Sequence, residues 1–298
     1  MTHLFLYFMA LIFLSQSASM AKYAEAPPEV IGTWRMLVAS LFFIGLSYYQ
    51  GHGLKVLKLN KVQTAKLPLT GLFFFLHLWT FFYASQNTLI SHTMILFCLN
   101  PLFVALGRWW LAREWPSKSL ALSYLLSFIA LALLLFESHN SVSSEQALWG
   151  DFSAFLSAVF FALYFLLNHG VRQHFPNTVF SGWMYLCTAL FFFMTMALRQ
   201  DNWTHYPINT WIGIGAQILF PTLLGHALIS YLMKHLDPTW MASGKLIEPI
   251  LATGVATFLF NEQISAQSVG AFLLTGVALI LFFSSSKKAR AASGEPLK

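Results

Sequence analysis

The chain has 298 residues, 57% of them hydrophobic and 9% charged, against about 25% charged in a soluble domain. With a mean hydropathy of +0.63, that composition excludes a water-soluble globule and leaves no room for a separate catalytic domain. The formal charge of +6 reads as basic loops on the cytoplasmic side of a membrane, so no nucleic-acid partner is expected.

A bilayer core about 30 Å thick takes about 20 apolar residues per helix. By that measure ten spans are predicted, over residues 3–24, 28–50, 67–88, 91–111, 117–137, 148–169, 177–198, 210–233, 238–260 and 266–285. The run from Leu4 to Leu14 followed by Ser17-Ala18-Ser19 also has the outline of a secretory signal, but no Lys or Arg precedes it, and it is read as a span. Trp109, Trp110, Trp115, Trp149 and Trp203 fall near predicted span ends, where an interfacial ring is comfortable. The fold class is therefore an all-α integral membrane protein.

Orientation follows from short-loop Lys and Arg. The loops after spans two, four, six and eight hold Lys55, Lys58, Lys61, Lys66, Arg108, Arg113, Lys118, Arg172 and Lys234, and the tail holds Lys287, Lys288, Arg290 and Lys298. The opposite side offers Lys22 and Arg199, with Glu137 and Glu145 in one loop. Both termini are expected to be cytoplasmic, in a multi-pass protein of the cytoplasmic (inner) membrane.

Ionisable groups inside spans are expensive and mark functional candidates. Lys22 shares a face with Ser15 and Ser19 near the end of span one, and it either snorkels to headgroups or lines a cavity. Arg35 lies about 10 Å past Pro28, too deep to snorkel easily, and needs a partner such as a carbonyl or Glu248. Span three carries His77, Thr80 and Asn87, with Trp79 and Tyr83 on an adjoining face. Span four breaks at Asn100-Pro101, and span eight has Thr222, His226 and Ser230 at four-residue spacing. Lys245 and Glu248 share a face of span nine beside Pro249, which frees a carbonyl. They form either a substrate or proton site or a buried pair that fixes register. His77 and His226 are candidate proton relays or neutral core histidines. Tyr164, Tyr231 and Trp79 are candidates for an aromatic wall or for packing.

Cys98 and Cys187 sit in apolar runs and read as small core residues. No metal-ligand spacing, GxSxG, HExxH or P-loop is present, so no cofactor and no ATP-driven step by this chain is expected. Glu114 and Glu262, at span ends, are assigned structural roles.

A shift of 148 residues places Asn100-Pro101 on Glu248-Pro249, Tyr83 on Tyr231, Glu114 on Glu262 and Ser117 on Ser265. Two five-helix repeats are inferred, residues 1–140 and 148–285, followed by a basic cytoplasmic tail at 286–298. An odd helix count makes the second repeat inverted relative to the first.

The segment Ser15 to Lys22, Arg35, Asn100-Pro101-Leu102-Phe103-Val104-Ala105 with Glu114, Gly150-Asp151 with Tyr164, and Glu248-Pro249-Ile250-Leu251-Ala252 with Glu262 together resemble the EamA-type drug/metabolite transporters over almost the whole chain. The chain departs from that pattern at Leu14, where many relatives carry Trp, and at Asn100, where only the second half has the acid. The resemblance implies a secondary transporter, with export the commoner direction. Lys22, Arg35 and Lys245 outnumber Glu248, which points to an amino acid or related carboxylate-bearing metabolite. Expected partners are that small-molecule substrate and the lipid bilayer; a coupling ion or proton and a homodimer remain open. The expected site residues are Glu248, Lys245, Arg35, Lys22, His226, His77, Tyr231, Tyr83, Tyr164, Trp79 and Asn100. The competing readings are an intramembrane enzyme built on Ser230 and His226 and a non-transporting scaffold or channel.

Overall fold

The computed structural model describes residues 2–52, 61–113, 118–141, 145–261 and, apart from 268, 275 and 279, 266–281. The tail 286–298, Lys55, Lys58, Glu114, Trp115, Ser117, Glu262 and Ser265 lie outside the described residues. Helix dominates: α1 (Thr2–Ser15), α2 (Ser17–Tyr23), α3 (Pro28–Tyr49), α4 (Lys61–Thr64), α5 (Leu67–Asn87), α6 (Ile90–Phe97), α7 (Asn100–Ala112), α8 (Lys118–Ser141), α9 (Glu145–Arg172), α10 (Asn177–Arg199) and α11 (Ile208–Gln217). A π-helical segment (Ile218–His226) follows, then α12 (Ala227–Leu232), α13 (Pro238–Gly244), a 3₁₀ turn (Lys245–Ile247) and α14 (Glu248–Phe260).

Proline sets many of the starts. It occupies the first turn of α3, α5, α7 and α14, where its missing N–H costs no intrahelical bond. Arg113, Gln200 and Asn261 end α7, α10 and α14 in the left-handed conformation, a common way to stop a helix.

Among the described residues, seven helical stretches are long and apolar enough to cross a membrane: Thr2–Ala24, Pro28–Tyr49, Lys61–Asn87, Ile90–Trp110, Glu145–Arg172, Asn177–Arg199 and Ile208–Leu232. The protein is thus an integral, multi-pass membrane protein. Ala121–Ala130, Glu248–Phe260 and Val269–Ala278 are apolar but shorter; they fall in the fifth, ninth and tenth expected ranges. In the ninth, the 3₁₀ turn at Lys245 divides the run and leaves α14 with 13 residues.

The interruptions have local causes. Between α1 and α2, Ser15 Oγ donates to the Ile12 carbonyl at 2.8 Å and Gln16 Nε2 donates to Ser15 Oγ at 2.8 Å, so side chains compete for backbone acceptors. Pro221 lies inside the π-helical segment and cannot donate to the ladder.

Packing interleaves early and late helices. α10 lies along α3, α9 lies along α5 and also touches α6 and α7, while α1 packs on the π-helical segment and α14. Gly182 in α10 abuts Ile44 and the backbone of Phe43, so that any Cβ there would press on α3. Tyr7, Phe74, Phe82, Phe161, Phe165 and Phe192 are fully buried, whereas Phe5, Leu41, Leu190, Leu219 and Phe258 point outward. An apolar exterior around small residues and aromatic rings suits lipid, where close packing rather than water expulsion holds helices together.

Candidate functional site

The 3₁₀ turn brings Lys245 and Glu248 onto one side of the broken ninth segment. Lys245 Nζ donates to Glu248 Oε1 at 2.6 Å, and each residue is 3% exposed. The ammonium also sits 5.0 Å from the Phe161 ring centre and 5.8 Å from that of Phe97, so aromatic faces replace part of its lost hydration. Just upstream, the buried Tyr7 hydroxyl donates to the Met241 carbonyl, tying α1 to α13.

Beside the pair lies a cavity of about 20 Å³, bordered by Leu14, Ser17, His77, His226, Lys245 and Glu248 among others. That is room for about one water. His77 and His226 face each other with ring centres 6.4 Å apart, and His77 Nδ1 lies 2.8 Å from Ser157 Oγ. Four of the site residues expected from sequence, His77, His226, Lys245 and Glu248, thus border one cavity.

Arg35 is fully buried next to this cavity, and its partners are neutral. Nε donates to Thr222 Oγ1 at 2.6 Å, while Nη1 donates to Gln217 Oε1 at 2.7 Å and to Ser17 Oγ at 3.3 Å. Of the partners expected from sequence, it meets a carbonyl, the side-chain amide oxygen of Gln217, while Glu248 pairs with Lys245 instead. The π-helical turn explains part of this: Thr222 Oγ1 donates to the carbonyl of Gln217, five residues back, at 2.8 Å. That places an amide and a hydroxyl on one side at a spacing the α-helical period hides. Gln217 is hidden in the sequence because it is a single polar side chain in an apolar run, and nothing there singles out Ser17 as a partner of Arg35. The one signal was that Ser17 falls within the polar stretch from Ser15 to Lys22.

Other expected site residues lie elsewhere. Trp79 and Tyr83 stack at 6.0 Å near one end of the helices, where Trp79 Nε1 donates to Glu29 Oε1 at 2.8 Å and Arg199 Nε approaches the same oxygen at 3.4 Å. Lys22 belongs to that end too, with its ammonium 5.3 Å from the Phe260 ring centre, and it borders an open depression with Glu25 and Gln86. Tyr231 is exposed at the opposite end beside His3 and His235. Tyr164 is buried against Phe74, and its hydroxyl accepts from Asn168 Nδ2 at 2.8 Å. Asn100 spends its amide on the Phe97 carbonyl at 2.8 Å, across the break in the fourth segment. Ser230 Oγ accepts from Asn168 Nδ2 at 3.4 Å and the Ser230 carbonyl from Arg172 Nε at 2.9 Å. An enzyme built on Ser230 and His226 therefore gains no support from the described hydrogen bonds.

Buried, opposed charges at a helix break inside a many-helix membrane protein are expensive groups of the kind that mark a functional site. The chain belongs to the EamA-like transporter family, whose profile matches residues 1–136 and again 148–284. An uncharacterised transporter of Clostridium kluyveri is 22% identical over 215 residues, 70% of this chain and 68% of that one. A solved crystal structure, 19% identical, covers 94% of this chain and 97% of its own at a TM-score of 0.73, a likeness of fold. The protein is accordingly a membrane transporter.

Proposed function

We propose that the chain is a secondary transporter that exports a small carboxylate-bearing metabolite, an amino acid or a relative of one, across the cytoplasmic membrane by alternating access. The observation that carries this reading is the Lys245–Glu248 pair, buried at a helix break and bordering the small cavity with His77 and His226. Arg35 beside it leaves a surplus of positive charge for an anionic substrate group, and proton coupling through Glu248 completes the scheme.

The scheme has ten spans in two inverted five-helix repeats, 1–140 and 148–285. Several features support it. α7 and α14 are both 13 residues long, both carry Pro at the second position, and both end in left-handed residues, Arg113 and Asn261, 148 positions apart. Packing repeats as well: α9 on α5, α6 and α7 is the counterpart of α1 on the π-helical segment and α14, with α3 on α10 as the self-paired element. The family profile matches each half separately.

The test is counterflow of labelled amino acids and small organic anions into liposomes holding the purified protein, with Glu248→Gln alongside. Saturable exchange of one class, lost in the variant, is the expected result. Absence of exchange by folded protein across the panel overturns the reading. Equal exchange by Glu248→Gln moves the site away from the ninth segment.

A further inference from the structure

Lys245 already has its counter-charge in Glu248. Arg35 does not: its Nε and Nη1 meet only the neutral oxygens of Thr222, Gln217 and Ser17, its Nη2 has no partner, and the residue is 0% exposed. A buried guanidinium without an anion is among the most expensive groups a membrane protein can keep.

The oxygens around it are themselves fixed. Gln217 Nε2 donates to the Ser17 carbonyl at 2.6 Å, which turns Gln217 Oε1 toward Arg35, and the Ser17 hydroxyl donates to that same Oε1 at 3.3 Å. Thr222 gives its proton to the Gln217 carbonyl, so its Oγ1 can only accept from Arg35. Three elements thus hold one edge of the guanidinium rigidly and leave the Nη2 corner unused.

A second buried donor lies nearby. Tyr185 of α10 is fully buried, its hydroxyl has no partner, and Phe74, on which its ring packs, also meets the cavity-lining His226 at 4.9 Å between ring centres. Its ring is held by Phe43 and Phe74, each at 5.9 Å between ring centres, and Phe82 faces the guanidinium at 5.4 Å. Ser17, which Arg35 bonds, also borders the central cavity. A fixed cation with an open donor edge, a second unpaired O–H, and apolar rings around both is chemistry suited to a carboxylate, whose two oxygens accept from two donors at once.

We propose that Arg35 and Tyr185 are the carboxylate anchor of the transported molecule, with Ser17, Gln217 and Thr222 as positioning residues, and that Lys245–Glu248 is left for the rest of the substrate. This deepens the transport reading, on which it rests for the origin of the carboxylate.

The test begins with binding, which needs no transport. Purified full-length protein in detergent is melted with acetate and with each common amino acid, against acetamide and the amino-acid carboxamides at matched ionic strength. A melting shift with one or more carboxylates and none with the matching carboxamide is expected. Tyr185→Phe keeps the ring packing and should weaken that carboxylate about tenfold; Arg35→Gln should abolish the shift. Should Arg35→Gln not fold, Tyr185→Phe carries the test, expected to weaken the carboxylate and leave unliganded melting within a few degrees because its hydroxyl has no partner to lose. Equal shifts by acid and amide, no shift with any carboxylate, or unchanged affinity in Tyr185→Phe overturns the anchor and leaves water as the partner of these donors. Counterflow separates the two claims. Carboxylate binding without exchange sinks the transport reading and keeps the anchor; exchange indifferent to amidation sinks the anchor and keeps transport.

Discussion

Lys245 and Glu248 are three residues apart, so their pairing was legible from spacing alone, and their burial sets what mutation does. Lys245→Ala strands a carboxylate among Phe97, Phe161 and Leu14. The expected loss is about 3–5 kcal/mol, read as a lower melting temperature in detergent. Replacing both, with Lys245→Met and Glu248→Leu, should recover most of that stability while counterflow stays absent; recovered counterflow would make the pair a register lock only. Arg35 shows the opposite limit of sequence reading. Its depth was evident, yet its partners lie 18, 182 and 187 positions along the chain, and nothing in the apolar run around Gln217 announces an amide aimed at a guanidinium. The aromatic residues are a matter of face rather than depth: His77, Leu78 and Phe81 of α5 border the cavity, whereas Trp79 on the same helix turns to Glu29, and Tyr231 meets His3 and His235.

At the level of the helix, lengths and starts follow from apolar run and proline, and the breaks at Pro101 and Pro249 carry their own signal. The break at Gln16 does not, because it depends on side chains taking backbone bonds, and at the π-helical turn Pro221 marks an irregularity without fixing its kind. The contact of α3 with α10 gives a clean test. A methyl at Gly182 would lie 2.9 Å from Ile44 Cγ1 and 3.0 Å from Ile44 N, backbone that cannot yield, whereas Gly45 has nothing within 4 Å. Gly182→Ala should therefore destabilise by about 1–3 kcal/mol and lower the melting temperature, while Gly45→Ala in the same stretch should leave it unchanged or slightly raised. Equal melting of the two variants would mean that the helices stand further apart.

For the whole protein, the proposed alternating access requires one end to part before a substrate reaches the cavity. At one end Glu29 joins Trp79 and Arg199; at the other Arg172 bonds the Ser230 carbonyl and Arg108 pairs with Asp237. Glu29→Gln weakens the first of these. In a protein without Cys98 and Cys187, a cysteine at Leu14 on the cavity wall should then react faster with a membrane-impermeant thiol reagent than with Glu29 intact; equal rates would remove Glu29 from the closure. The expected orientation has its own check. Tyr49→Cys and Leu198→Cys, both at exposed helix ends, should label from opposite faces, Tyr49→Cys from the cytoplasmic one. Labelling of both from one face would overturn the topology read from the basic loops.

The exchange of first helices between the halves also governs how the chain is made. α1 finds its neighbours in the π-helical segment and α14, which leave the ribosome more than 200 residues later. At about 5–20 residues per second, that is a delay of roughly 10–40 s. Throughout it, Ser15, Ser17, Ser19 and Lys22 wait in the bilayer without the helices that later bury the three serines. The nascent protein thus passes through a long adolescence in which only the α2 end of its first span is held, by α5 and α6, while α1 is inserted but unclaimed, and a chaperone or insertase of the membrane has most to protect there. The same wiring gives the two halves a strong incentive to find each other: residues 1–140 and 148–298 expressed as separate chains should each be degraded alone and accumulate together.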